Sequence, residues 1–265
     1  MQRRARGVWI CAALVAATLV VHAPVRGLPF LFYDDEQYVT ANPQVQAGLS
    51  LAGARWAFTS FHASNWHPLT WLSHMADVEL FGKGAGGPHV ENALLHALNA
   101  ALVFLWLSGL TGSPGRSAAV AALFALHPQR VESVAWISER KDLLCAMFTL
   151  GSLLAWTRYA RQGSRAAYGI SLACMALGGL AKPMIVSLPL LLLVLDFWPL
   201  RRGLRTAEKL PFAALALASS LVTLGAQVNA IQPSVALVDR ISNALVGLAT
   251  QLGLDPARLV ATVEK

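Results

Sequence analysis

Charge is what this chain has least of. Only 13% of its 265 residues are Asp, Glu, Lys or Arg, against about 25% in soluble globular proteins. With 55% apolar residues and a mean hydropathy of +0.52, an ordinary soluble domain is excluded and several membrane crossings are expected. Cysteine is sparse as well. Cys11, Cys145 and Cys174 each lie inside an apolar run; their spacing fits no metal motif and no disulfide framework, so they read as small buried hydrophobes. No 34-residue helical repeat is visible either.

The charge that is present is mostly positive, with a formal net charge of +7 and a pI near 9.8. In a soluble chain this would suggest nucleic acid as a partner. Here the basic residues sit in short loops between apolar runs, as topology signals do, and no nucleic-acid role is expected.

The expected fold is all-α, a polytopic membrane bundle of about seven transmembrane helices. Arg3, Arg4 and Arg6 precede the apolar run Val8 to Val21, read as an uncleaved signal anchor with a cytoplasmic N-terminus. A first loop over 25–89 is rich in His, Trp and Asp and too polar to span. Within it Leu49 to Phe61 reads as an interfacial amphipathic helix with Leu51, Ala54, Phe58 and Phe61 on one face. Pro68 opens a second helix through Leu80, and Gly82 to Pro88 breaks it. Further spans are expected at Val90–Leu110, Ser117–Leu126, Leu143–Trp156, Tyr168–Ala181, Met184–Leu200 and Phe212–Ala226. The third of the seven is only ten residues, about half the hydrocarbon thickness. His127-Pro128 and a polar stretch to Asp142 follow it, and polar chain at that depth requires a cavity. Residues 1–226 form the membrane core and 227–265 a short amphipathic tail.

Seven spans place Arg116, Arg158–Arg165 and Arg201–Lys209 on the cytoplasmic side, as the positive-inside rule requires. They place Asp34-Asp35-Glu36, His127–Asp142 and Lys182 together on the opposite side, so an extracytoplasmic site in a bacterial plasma membrane is expected.

Four constellations carry chemistry. Asp34, Asp35 and Glu36 crowd three carboxylates beyond an apolar run; they would raise one another's pKa and could supply a general base or ligands for a hard divalent cation, with Asp35 and Glu36 as its candidates. An acidic helix cap is the plain alternative. Glu132, Glu139, Arg140, Lys141 and Asp142 lie beside the half-length span, where charge is costly and function is the default reading; Glu132 and Glu139, seven apart, are expected on one helical face. An interfacial ion-pair network is the alternative. Lys182 stands alone between apolar runs and breaks the positive-inside pattern, as a phosphate-binding ammonium would, or one that snorkels. His67 and His74 are expected on one helix, and Asn92, His96 and Asn99 share a face of the next; the group is expected to line a substrate cavity and bind substrate, with a helix–helix hydrogen-bond seam as the alternative. Their spacing matches no tight zinc motif.

The stretches Tyr33-Asp-Asp-Glu-Gln-Tyr-Val-Thr-Ala-Asn-Pro43, Asn65-Trp-His-Pro-Leu-Thr-Trp-Leu-Ser-His74, Pro88-His-Val-Glu-Asn-Ala-Leu-Leu-His-Ala-Leu-Asn99, His127 through Asp142, and Ala181-Lys-Pro183 with Asp196-Phe-Trp-Pro199 resemble the GT-C membrane glycosyltransferases. The closest likeness is to the transmembrane, tetratricopeptide-repeat-associated O-mannosyltransferases and their bacterial relatives. The resemblance covers about Phe30 to Leu200. It implies a hexosyltransferase with a polyprenyl- or dolichyl-phosphate sugar as donor and a hydroxyl acceptor, a protein Ser or Thr. Asp34 or Asp35 would take the acceptor proton. Lys182 with Arg140 or Lys141 would stabilise the lipid phosphate, and Glu132, Glu139 and Asp142 would orient these cations or bind sugar. The sequence departs from the group in lacking its repeats. A non-catalytic membrane scaffold is the competing reading; a transporter fits less well, because the two halves share no internal repeat.

Overall fold

A computed structural model describes residues 2–228 and 237–251, and they contain helices and no strand. In chain order they are α1 (Gln2–His22), α2 (Pro43–Gln46), α3 (Leu51–Thr59), α4 (Pro68–Phe81), α5 (Gly86–Thr111), α6 (Pro114–Leu126), α7 (Arg130–Ala135), α8 (Arg140–Gln162), α9 (Arg165–Ala181), α10 (Leu188–Phe197), α11 (Leu210–Gln227) and α12 (Leu237–Gln251). Residues 1–226 form one compact unit. Residues 227–265 form another, of which 229–236 and 252–265 lie outside the described residues. In that second unit α12 leaves Val238, Leu245, Val246 and Leu248 exposed.

Four segments are long and apolar enough to cross a bilayer: Ala5–Gly27, Gly86–Thr111, Ile137–Gln162 and Thr206–Gln227. The count of seven spans is not reached. Helices α6, α9 and α10 have 13, 17 and 10 residues, or about 20, 26 and 15 Å of rise, against about 30 Å of hydrocarbon.

Local chemistry sets the hairpins. Gly112 is left-handed after α5 (φ 66°) and Pro114 opens α6, the usual helix stop and start. Gly163 ends α8 in the same way (φ 67°), and the Ser164 hydroxyl accepts the Ala167 N–H at 3.3 Å to start α9. Helices α8 and α9 pack closely. The hydroxyls of Ser152 and Ser171 each donate to the other residue's carbonyl, at 2.8 and 3.0 Å. A Cβ added to Gly178 would lie 2.4 Å from Ile185 Cδ1 and 3.3 Å from Phe148 Cβ, so a side chain there would displace the Ile185 methyl from the close packing.

The α8–α9 hairpin runs the length of the bundle, whereas α6 returns only part of the way along α5 before the chain breaks. One end carries Asp196, fully buried, which accepts from Trp156 Nε1 at 2.9 Å and pairs with Lys209 and Arg202. At the other end a second core of Tyr38, Val45, Ala57, Trp71, Met75 and Ile137 forms a cap of short helices over the bundle. Thr70 Oγ1 ties that cap to the end of α9 by donating to the Ala181 carbonyl at 2.9 Å. In α3 the side turned to the cap is Gly53 and Ala57, while Leu51, Arg55 and Phe58 on the helix, and Phe61 just beyond it, stay exposed. That outer face sets Arg55 between Leu51 and Phe58, a mixed cationic and apolar surface that suits a helix lying at headgroup depth.

The break between α6 and α8 is the fold's main irregularity. Pro128 forces His127 extended (ψ 132°), and Trp136 is extended again (ψ 115°) before one 3-10 turn leads into α8. Side chains of α5 donate to backbone carbonyls along the break and in the first turn of α8. Asn92 Nδ2 donates to the carbonyls of Val134 and Trp136 (3.3 and 3.2 Å), Asn99 Nδ2 to that of Leu143 (2.9 Å), and His96 Nε2 lies 2.9 Å from that of Ala125. Non-helical chain survives at such depth when its polar groups are satisfied from within.

Candidate active site

The acidic motif folds as two carboxylates with different surroundings. Asp35 is fully buried, and its two oxygens accept the N–H groups of Leu31 at 2.9 Å and Ser138 at 2.8 Å. It therefore staples the first loop to the break before α8. Asp34 beside it is half-buried, and its carboxylate has no hydrogen-bond partner among the described residues. Glu36 is exposed and begins a single wide helical turn, Glu36–Thr40, which presents Tyr38 to the interior.

Tyr38 is the hub where these elements meet. Its ring packs on Trp71 at 4.5 Å, Lys141 Nζ lies 4.8 Å above it, and its hydroxyl accepts from Asn65 Nδ2 at 3.2 Å. Burial first, then the carboxylates of Asp34 and Glu139, hold the phenol above its usual pKa. Asp34 and Glu139 therefore act on one hydroxyl from two distant stretches of chain.

From Tyr38 the charges alternate in sign. Lys141 pairs with Glu139 Oε1 at 2.6 Å, Glu139 Oε2 lies 3.6 Å from Lys182 Nζ, and Lys182 pairs in turn with Asp142. The Lys182 side chain keeps 23% of its exposure and Asp142 keeps 37%, so this end of the row is open. It opens on a cavity of about 380 Å³ lined by Asp142, Lys182 and Arg130, with Val103, Leu150 and Met184 among its apolar walls. Arg130 stacks its guanidinium 4.9 Å from the Phe124 ring centre. Sequence reasoning left Arg130 out of the site. Its signals were its place just upstream of the charged stretch Glu132–Asp142, within the His127 through Asp142 motif, and at the turn that ends the half-length α6.

The other expected site residues are placed differently. Arg140 is fully buried: Nε donates to Asn92 Oδ1 (2.8 Å), Nη2 to the Pro88 carbonyl (2.9 Å), and Nη1 pairs with Asp77 and with Glu91 (3.2 Å). With its donors so occupied it locks α4, α5 and α8 together and is not free to meet a phosphate. Glu132 is exposed and borders a separate cleft with Leu31 and Trp136. It does not share a helical face with Glu139, because the extended Trp136 resets the helical phase between them. His67 is the N-cap of α4 rather than a member of the helix, and His74 lies about two turns inside it. Asn92, His96 and Asn99 form a hydrogen-bonded seam with the broken segment, not an open cavity wall.

Burial pushes the His67 imidazole down to about 3, with Lys141 and Lys182 adding to the shift, and burial with Arg140 nearby keeps His74 well below its usual range. Both rings are neutral near pH 7. The unfolded chain titrates such histidines near 6.5, so between pH 6.5 and 3 it binds more protons than the folded one. The folded state thus loses stability as pH falls through that window. Replacing His67 by Gln is expected to flatten the fall of the melting temperature between pH 6.5 and 4; an unchanged slope would contradict the buried neutral ring.

A divalent cation was the other use expected for the acidic motif. Both Asp35 oxygens are taken by backbone N–H groups, and among the described residues no three His, Cys, Asp or Glu side chains are grouped to hold a metal.

Fold and site together define a multi-helix membrane protein with a half-open charged centre under a cap at one end. Its known relatives are named as glycosyltransferases. Over 209 residues the chain is 31% identical to the protein O-mannosyl-transferase Tmtc2 of Drosophila melanogaster, an alignment covering 73% of this chain and 22% of that protein. It is 32% identical to the human protein O-mannosyl-transferase TMTC4 over 155 residues, covering 50% and 21%, and 33% identical to Drosophila Tmtc1 over 135 residues, covering 48% and 16%. The resemblance to the O-mannosyl-transferase group seen in the motifs thus extends across much of the chain. The chain spans about a fifth of the length of these relatives. No family model matches it, and no solved structure does.

Proposed function

We propose that this chain forms the donor-binding and catalytic part of a membrane glycosyltransferase. It moves a sugar, mannose by analogy with its relatives' names, from a polyprenyl-phosphate donor to a protein Ser or Thr hydroxyl. The observation that carries this reading is the row Lys141–Glu139–Lys182–Asp142 opening onto an apolar cavity that Arg130 also lines. Cations beside an apolar wall suit a phosphate with a hydrocarbon tail.

In the reaction the acceptor hydroxyl oxygen attacks the anomeric carbon from the face opposite the phosphate. The new C–O bond forms as the bond from that carbon to the phosphate oxygen breaks, inverting the centre. The acceptor proton passes to Asp34, and the lipid phosphate leaves with the bonding electron pair. Lys182 and Arg130 stabilise that negative charge. Lys141 and Glu139 hold Tyr38 and the sugar-facing wall. Asp35 keeps Asp34 in place. The site faces the extracytoplasmic side with the N-terminus cytoplasmic, the orientation supported by the basic loops.

The test is transfer from a polyprenyl-phosphate hexose to a Ser/Thr peptide by the chain in membranes, comparing the native protein with Lys182→Met. Loss of a charge-assisted contact costs about 1.5–3 kcal/mol, so the donor KM is expected to rise roughly ten- to hundredfold, with the acceptor KM little changed. An unchanged donor KM would remove Lys182 from phosphate binding. Failure of the native chain to consume any such donor, despite normal insertion, would instead favour a scaffold.

A further inference from the structure

The opposite end of the bundle holds a second cavity that the chemistry above does not use. It has a volume of about 670 Å³ and lies between the last turns of α5 and α8 and the first turn of α9. Trp106, Leu154, Ala155 and Ile170 make it apolar, and Arg158 and Arg161 stand among its lining residues. It is far from the active centre. Arg158 and Arg161 follow Asp142 by 16 and 19 residues along α8, which is about 24–29 Å of helix.

The two arginines are held, yet not neutralised. Arg161 donates to the carbonyls of Gly109 and Leu110, the latter at 2.8 Å, and so is anchored over the end of α5. Arg158 uses Nε on Gln162 Oε1 at 3.2 Å, and its terminal nitrogens have no protein partner among the described residues. Neither arginine pairs with a carboxylate there, whereas Arg140, Lys141, Lys182, Arg202 and Lys209 all do.

We infer that this cavity binds an anionic phospholipid, with the phosphate headgroup on Arg158 and Arg161 and an acyl chain along the apolar wall. A free phosphate would leave the apolar wall uncovered, and a neutral chain would leave the two arginines, exposed at the end of α8, without a counter-anion. An anionic amphiphile answers both features, and the guanidinium fork suits phosphate oxygens. Basic pockets between transmembrane helices are a recurring form of lipid headgroup site.

The experiment uses the full chain purified in mild detergent and incubated with equimolar dioleoylphosphatidylglycerol and dioleoylphosphatidylcholine, with retained lipid read by native mass spectrometry. The native chain is expected to retain the anionic lipid preferentially. Each Arg→Gln change should weaken that preference roughly fivefold, with the Arg158→Gln, Arg161→Gln pair abolishing it. Arg161 also caps α5, so Arg158→Gln alone is the decisive variant if the pair fails to fold. Equal retention of the two lipids by the native chain, retention of neither, or an unchanged preference in Arg158→Gln overturns the inference. Sugar transfer is not needed for the readout, so its outcome is separate from the fate of the proposed catalysis.

Discussion

In a membrane transfer assay, Asp34→Asn is expected to lower kcat by about 10²–10⁴, the usual worth of a positioned general base, while the melting temperature stays where it is. The reason is the contrast with its neighbour. The Asp34 carboxylate has no protein hydrogen-bond partner among the described residues and is half-buried, so the amide loses a proton acceptor and little else. Asp35→Asn is expected to behave in the opposite order. Asparagine offers one acceptor oxygen and turns an NH₂ toward a backbone donor, so one of the bonds to Leu31 and Ser138 is replaced by a buried clash of donors. About 1–3 kcal/mol of stability should go with it, and activity falls because the loop carrying Asp34 is no longer pinned. Transfer within tenfold of native in Asp34→Asn would sink the assignment of the base. An unaltered melting temperature in Asp35→Asn would sink the staple.

The largest loss of stability is expected at Arg140. Replacing it by Met leaves Asp77 and Glu91 with no cation and strands the Pro88 carbonyl and the Asn92 amide oxygen. Breaking a buried pair from one side costs about 3–5 kcal/mol, because a buried carboxylate must either stay charged without a partner or take up a proton. The second variant tells a charge effect from a packing effect. Asp77→Asn combined with Arg140→Met should recover part of the loss, since the charge left stranded is then removed. Unfolding of the detergent-solubilised chain, followed by helical circular dichroism, is the measurement. A loss under 1 kcal/mol, or no recovery in the double variant, would show that the arginine is not the lock between α4, α5 and α8. Arg140→Lys should recover little, because a single ammonium cannot reach four acceptors at once.

The contrast between Arg140 and Lys182 marks how far the sequence could be read. Both are cations in an apolar setting, and both were expected to meet the phosphate. What separates them is the number of partners that fold around each. Arg140 enters α8 where α4 and α5 both pass, so its fork is filled. Lys182 follows the end of α9, where the proline at 183 stops the helix and leaves one side open. The three polar residues of α5 were legible as one face, since helical spacing alone places Asn92, His96 and Asn99 together. That the face would answer a break in a neighbouring segment was not legible, because the break lies about 40 residues downstream of Asn92. Glu132 and Glu139 failed for a simpler reason: a seven-residue spacing means one face only while the helix is unbroken, and Trp136 breaks it.

The sequence by itself determined that this is a helical membrane protein, which glycines and prolines punctuate its helices, and which motifs carry unusual charge. Those properties are local, set by apolar run length, proline, glycine and the cost of charge near hydrocarbon. The tertiary structure decided which carboxylate is free and which is a staple, which cation is locked and which is open, and that Arg130 lines one cavity with Lys182 and Asp142. Those distinctions depend on how many hydrogen-bond partners distant segments bring to each group. Asp34 and Asp35 are adjacent in the chain, of one residue type, and only the N–H groups of Leu31 and Ser138 tell them apart.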